Sequence, residues 1–209
     1  DIQDTVDEYT MTQDKAFTGI VDKGDESDQT ISNKAGQWLK AQLRQKSTPA
    51  ADKYAFNKMV TEGTALEIDA APTKDTVIAM FAKARTAFTN SLVPDEGRVA
   101  FVPATVFAML ALCPEFISLE KLGTPAIGRG HVGQVLGFNI IEVPDTYIPS
   151  GVHSIFTIES AACMPYKIAE TKIHRDPPGI SGALIEGRHY YDFFVLAEKK
   201  EAMLIAKAS

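Results

Sequence analysis

The order of apolar and polar positions divides this chain into a helix-containing first half and a strand-rich second half, with the change near Gly123. The opening alternates. Tyr9, Met11 and Gln13 stand against Thr10 and Thr12, then Phe17, Gly19 and Val21 against Thr18 and Ile20. This period of two predicts two short strands joined across Asp14-Lys15-Ala16, a hairpin. A lone hairpin is marginal in water, so this one is expected to lean on another surface. The acidic run from Asp22 to Thr30 reads as a solvated turn whose carboxylates favour the N-terminus of the next helix.

Helical spacing follows. Ile31, Ala35, Trp38, Leu39 and Leu43 mark one face, and Thr48-Pro49 reads as an N-cap and first-turn proline restarting a helix toward Gly63. Its stripe is Ala51, Tyr54, Ala55, Met59 and Val60. One long helix bent at Pro49 and two consecutive helices both fit the pattern. A third helix has Thr73 as cap, Asp75 in its first turn and a stripe of Val77, Met80, Phe81, Ala84 and Phe88. After the breaker Leu92–Gly97, Arg98–Val102 reads as a buried strand, and Pro103 opens a helix carrying Val106, Phe107, Leu110 and Cys113. Cys113 there reads as a small buried hydrophobe.

Beyond Gly123 the pattern predicts strands over Phe138–Val143, Ser154–Ile158 and Tyr166–His174. Leu184–Ala197 and Ala202–Ala206 are expected to pair as a closing hairpin across Glu198–Glu201. Helices first and strands afterwards argue an α+β fold. No fixed-period repeat is present.

Length and charge narrow the picture. A chain of 209 residues fits one globular domain or two small ones. Residues 1–30 hold nine Asp/Glu against two Lys, and the remainder holds 18 acids and 19 bases. The near-neutral remainder argues against a strongly basic nucleic-acid face, and the acidic, Thr-rich opening reads as a protruding arm. The apolar run Val99–Leu112 is cut by Pro103 and falls short of the roughly 20 residues of a membrane helix. No secretory leader is visible, and the opening Asp1 in place of Met reads as a trimmed or partly ordered product of a longer chain. Cys113 and Cys163 form no C-x-x-C pair.

Candidate chemistry is sparse. Gly128-Arg129-Gly130-His131-Val132-Gly133 fits G-x-G-x-x-G, but a turn precedes it and a strand pattern follows, so pyrophosphate would find no helix N-terminus. A flexible glycine loop is the expected reading. His174-Arg175-Asp176 lacks the downstream Asn of a kinase catalytic loop. The histidines His131, His153, His174 and His189 are isolated and fit no helix-borne metal pair. No catalytic residue, cofactor or metal ligand is assigned, and the chain is read as a non-enzyme.

Several segments together resemble tailed-phage major capsid proteins of the Hong Kong 97-like fold. They are EYTMTQDKAFTGIVDKGDESDQT, the element with Pro49, Asp52 and Tyr54, VPDEGRVAFVPATVFAML, VLGFNIIEVPDTYIPSGV, and KIHRDPPGISGALIEGRHYYDFFVL. The resemblance runs in order over nearly the whole chain. It implies an extended-loop hairpin in residues 1–29, a spine helix and peripheral domain in 30–72, and an axial domain in 73–160. Residues 161–209 would be return strands completing both domains. It further implies a virion protein, assembled in the bacterial cytoplasm, that builds an icosahedral shell of pentamers and hexamers around double-stranded DNA held by non-specific contact. Scaffold, portal and decoration proteins are candidate partners, and no membrane is involved. On this reading Tyr9, Met11, Phe17, Val21, Asp22 and Asp25 are candidates for contact with a neighbouring subunit, Tyr9, Met11 and Phe17 because their own chain offers them no dry surroundings. Two alternatives remain: an encapsulin-like compartment, and a nucleotide-binding enzyme using the loop at 128–133.

Overall fold

The computed structural model describes residues 7–23, 35–113, 127–128 and 131–208. They divide into two compact units, one of residues up to Ala51 plus Met164–Phe194, the other of Asp52–Cys163 plus Val195 onward. The strands in chain order are β1 (Gln13–Asp22), β2 (Thr64–Ile68), β3 (Arg98–Pro103), β4 (Ile127–Gly128), β5 (His131–Val135), β6 (Phe138–Val143), β7 (Val152–Ile158), β8 (Ala162–Cys163), β9 (Tyr166–Arg175), β10 (Gly182–Tyr191), β11 (Phe194–Val195) and β12 (Met203–Ala208). The α-helices are α1 (Ala35–Gln42), α2 (Thr48–Glu62), α3 (Val77–Asn90) and α4 (Ala104–Ala111). Helices and sheets together give the expected α+β class.

In the first unit β1, β10 and β9 form an antiparallel sheet in that order. The predicted N-terminal hairpin is absent. Gln13–Asp22 is one continuous strand whose register runs from Gln13 opposite Tyr191 to Asp22 opposite Gly182. Asp14-Lys15-Ala16 is thus strand, not turn: the alternation of two was real, but a long-range partner extends it through the polar residues. The helical run is unbroken from α1 into α2 through a π turn at Leu43–Ser47. Thr48 has helical dihedrals and its N–H donates to the Leu43 carbonyl, so it is not the N-cap that the Thr-Pro pair suggested. Pro49 has no N–H for the carbonyl four residues back, and the wider turn absorbs that gap in the ladder.

The second unit carries a seven-stranded mixed sheet, β2-β12-β7-β3-β6-β5-β4. β3 lies parallel to β6 and antiparallel to β7, and β12 lies parallel to β2. β12 also pairs with β7, while β10 pairs with β1 and β9, so the predicted closing hairpin does not form. Residues 197–202 fold as a 3-10 turn instead. The third helix is as expected in its face: Val77, Met80, Phe81, Ala84 and Phe88 are its buried residues. Its start is later than predicted. Thr73 gives its carbonyl to the Val77 N–H, and Thr76 precedes the first helical residue.

The core of this unit is a ring cluster. Phe81 meets Phe156 edge-on at 5.1 Å, Phe156 meets Phe138 at 5.1 Å, and Phe88 lies 5.6 Å from Phe138. All four are fully buried. Such pairs contribute about 0.5–1.5 kcal/mol each beyond their area. The Arg98 guanidinium, 2% exposed, lies 5.4 Å from the Phe88 ring. It donates to the carbonyls of Val93 (2.6 Å) and Pro94 (2.9 Å) and pairs with Asp95 at 2.9 Å. The charge is thus enclosed only where its donors are satisfied. Cys113 is fully buried, as expected, although α4 ends at Ala111 and leaves it just past the helix.

Candidate assembly surface

The candidate surface lies in the first unit, where an irregular segment, residues 7–12, runs into β1. Without a ladder of its own, this segment is tied down by side chains of the strand end opposite. Asp192, 1% exposed, accepts from the Thr12 backbone N–H at 2.7 Å and from Thr12 Oγ1 at 2.9 Å through Oδ2. Its Oδ1 accepts from the Phe193 N–H at 2.7 Å. The Tyr190 hydroxyl donates to the Met11 carbonyl at 2.9 Å, and the Tyr9 ring lies 4.9 Å from Phe194. A buried carboxylate accepting three donors is well compensated, and each bond to a charged group contributes about 1.5–3 kcal/mol.

The two faces of β1 differ. Phe17, Gly19 and Val21 point toward α1, where the Phe17 ring lies 6.4 Å from Trp38 and 6.1 Å from His189. Glycines make this approach possible: a Cβ on Gly187 would run into the Phe17 ring, and one on Gly19 into the Trp38 indole. The side chains of Asp14, Thr18 and Ile20 project the other way, and Ile20 is 59% exposed. Arg188 holds Asp14 with two bonds, Nε to Oδ1 at 3.0 Å and Nη2 to Oδ2 at 2.6 Å, which draws the Asp14 carboxyl below the usual carboxylate range. Lys23 does the same for Asp176 across 2.6 Å. Beside the π turn a groove of about 530 Å³ opens between Leu43, Lys46 and Ala50 on one side and Phe17, Tyr166 and His189 on the other.

The six contact candidates therefore do not form one exposed patch. Tyr9 is 39% exposed, Met11 is half-buried and Asp22 is exposed. Phe17 is half-buried against its own chain, and Val21, 7% exposed, belongs to its own core. The expectation that this chain offers Phe17 no dry surroundings fails, because β10 and α1 supply them. Asp25 lies outside the described residues. Asp192 and Tyr190, the anchors of the opening segment, and Arg188, which holds Asp14 of β1, were missed. Only the Tyr190-Tyr191-Asp192 run hinted at them, since it mixes aromatic and acid where a strand ends.

The remaining motifs are placed by the strands. Gly128 lies in β4 and Gly133 in β5, an antiparallel pair, and residues 129–130 lie outside the described set. Strands present no free helix N–H groups to a pyrophosphate. His174 faces Glu186 at 3.3 Å on the exposed sheet, and His189 Nε2 is buried without a hydrogen-bond partner among the described residues. Among the described residues no group of three or more His, Cys, Asp or Glu could hold a metal ion, and no helix is long and apolar enough to cross a membrane.

No family model matches the chain, and no curated protein matches it in sequence. Solved structures do match. A chain from Mycobacterium phage Che8 superposes with a TM-score of 0.72 at 20% identity, covering 98% of this chain and 76% of that one. The capsid structure of the cyanophage P-SCSP1u gives a TM-score of 0.78 at 12% identity, over 95% of this chain and 73% of that one. The holo-SrpI encapsulin complex from Synechococcus elongatus PCC 7942 gives 0.65 at 10% identity, over 98% and 76%. The chain shares the fold of these phage and encapsulin structures, in agreement with the resemblance read from its motifs.

Proposed function

We propose that this chain is a major capsid protein, a structural subunit that assembles with its own copies into an icosahedral head around double-stranded DNA. The observation that carries the reading is the superposition of almost the entire chain, 95% of it, on a cyanophage capsid subunit. Its work is assembly, not catalysis. Contact with packaged DNA is non-specific: outside residues 1–30 the chain balances 18 acids against 19 bases, which gives phosphate little to hold. Tyr9, Met11 and Asp22 are the accessible candidates for contact with a neighbouring subunit. Scaffold, portal or decoration proteins would join the shell in the virion, formed in the host cytoplasm. A compartment enclosing cargo protein is the second reading, favoured by the likeness to the encapsulin complex.

The test is expression of the chain followed by negative-stain microscopy and analysis of what copurifies. Closed particles with nuclease-protected DNA support the head, and closed particles filled with protein support the compartment. A monomer at every concentration counts against both. A shortened chain starting at Met11 keeps β1 and its Asp192 tie, so it should stay folded while assembly weakens. Removing residues 1–28 is a poor test, because it also strips β1 from the sheet.

A further inference from the structure

β9 is the outer edge of the three-stranded sheet, and of its ten residues only Ile168 is partly covered. Among the described residues no strand pairs with its outer side, and no proline interrupts it. Edges of this kind recruit further strands unless something repels them, most often like charges. Here the charges have opposite sign on either side of one residue, Glu170-Thr171-Lys172, and Lys172 Nζ lies 3.5 Å from Glu170 Oε2 on the same face.

We propose that β9 recognises itself, pairing antiparallel with β9 of a second copy about a two-fold axis through Thr171. In that register each Glu170 faces the second copy's Lys172, Ala169 faces Ile173, and Ile168 faces His174. Opposite charges directly across a sheet attract and like charges repel. Centring the pair on Glu170 would set carboxylate against carboxylate, and centring it on Lys172 would set ammonium against ammonium. A one-residue slip would turn one copy's faces over. The strand thus selects one register. Its far end is set as well: the pairing with β10 steps from Tyr190–Ile168 to Tyr191–Tyr166, and the skipped Lys167 ends the regular ladder. A continuous sheet across two copies results, with main-chain bonds giving attraction and the Glu170/Lys172 pairs giving register.

Cysteine crosslinking tests this in a Cys163→Ser background, since Cys113 is buried. Under mild oxidation Thr171→Cys should form a disulfide-linked dimer, because opposite Cβ atoms lie about 4.5–5.5 Å apart. Ile173→Cys should not link to itself, as those positions lie about 14 Å apart along the strands. It should link to Ala169→Cys when the two variants are mixed. Thermal melts confirm that each variant is folded. Equal crosslinking of Thr171→Cys and Ile173→Cys, or none by any folded variant at high concentration, overturns the proposal. The pairing does not depend on the shell reading: register-specific crosslinks without particles keep the one and remove the other, and particles without crosslinks do the reverse.

Discussion

The two units solve the same problem of burying apolar surface by different means. In the second, four phenylalanines are fully enclosed, the sheet has seven strands, and a buried arginine is satisfied by carbonyls of its own loop. In the first, three strands share one helical neighbour, β9 is exposed along nearly its whole length, and glycines let rings lie against the sheet. Dense side-chain packing makes the second unit a self-sufficient core. The first is held by a few specific ties, and among the described residues no strand covers the outer side of β9.

The largest effect should come from the ring cluster. Phe81→Ala is expected to cost about 3–5 kcal/mol, read by denaturant unfolding, because the rings around it cannot collapse into the gap. A loss below one kcal/mol by that measure would mean the second unit is less tightly packed than its geometry implies.

In the first unit the sensitive positions are the smallest residues. Gly187→Val should cost about 1–3 kcal/mol by driving the new side chain into the Phe17 ring. The indole of Trp38 packs with Phe17, so tryptophan fluorescence should change along with stability. An unchanged emission spectrum would mean that β1 does not rest on α1.

The smallest effect belongs to the exposed Asp14–Arg188 pair. Arg188 lowers the Asp14 carboxyl, so its contribution is complete above the ordinary carboxylate value of about 3.9 and is lost as pH falls through the lower folded value. Arg188→Gln should lower the melting midpoint slightly at neutral pH, and the difference should shrink in strong acid. A difference that persists in acid would point to lost packing of the arginine stem instead.

How much of this was legible in the chain depends on the range of the interaction concerned. The face of α3 was read correctly because Val77, Met80, Phe81, Ala84 and Phe88 declare themselves within four turns. Phe138–Val143 was legible for the same reason, bounded by Gly137 and Pro144. The opening hairpin was misread because alternation reveals strand but not partner, and the partner of Gln13 is Tyr191. Thr64–Ile68 was missed altogether, its five residues gaining their place only by lying parallel to β12.

The local record, then, determined the α+β class, the face of α3, the buried Cys113 and the segment-by-segment resemblance to capsid proteins, since periodicity and breakers act over a few residues. Tertiary structure alone decided that β1 belongs to its own sheet, that Asp192 anchors the opening segment, and that β9 is left as an edge. Those outcomes depend on which distant strands meet, and pairing over such separations is set by the summed burial of the whole fold, a quantity no short window contains.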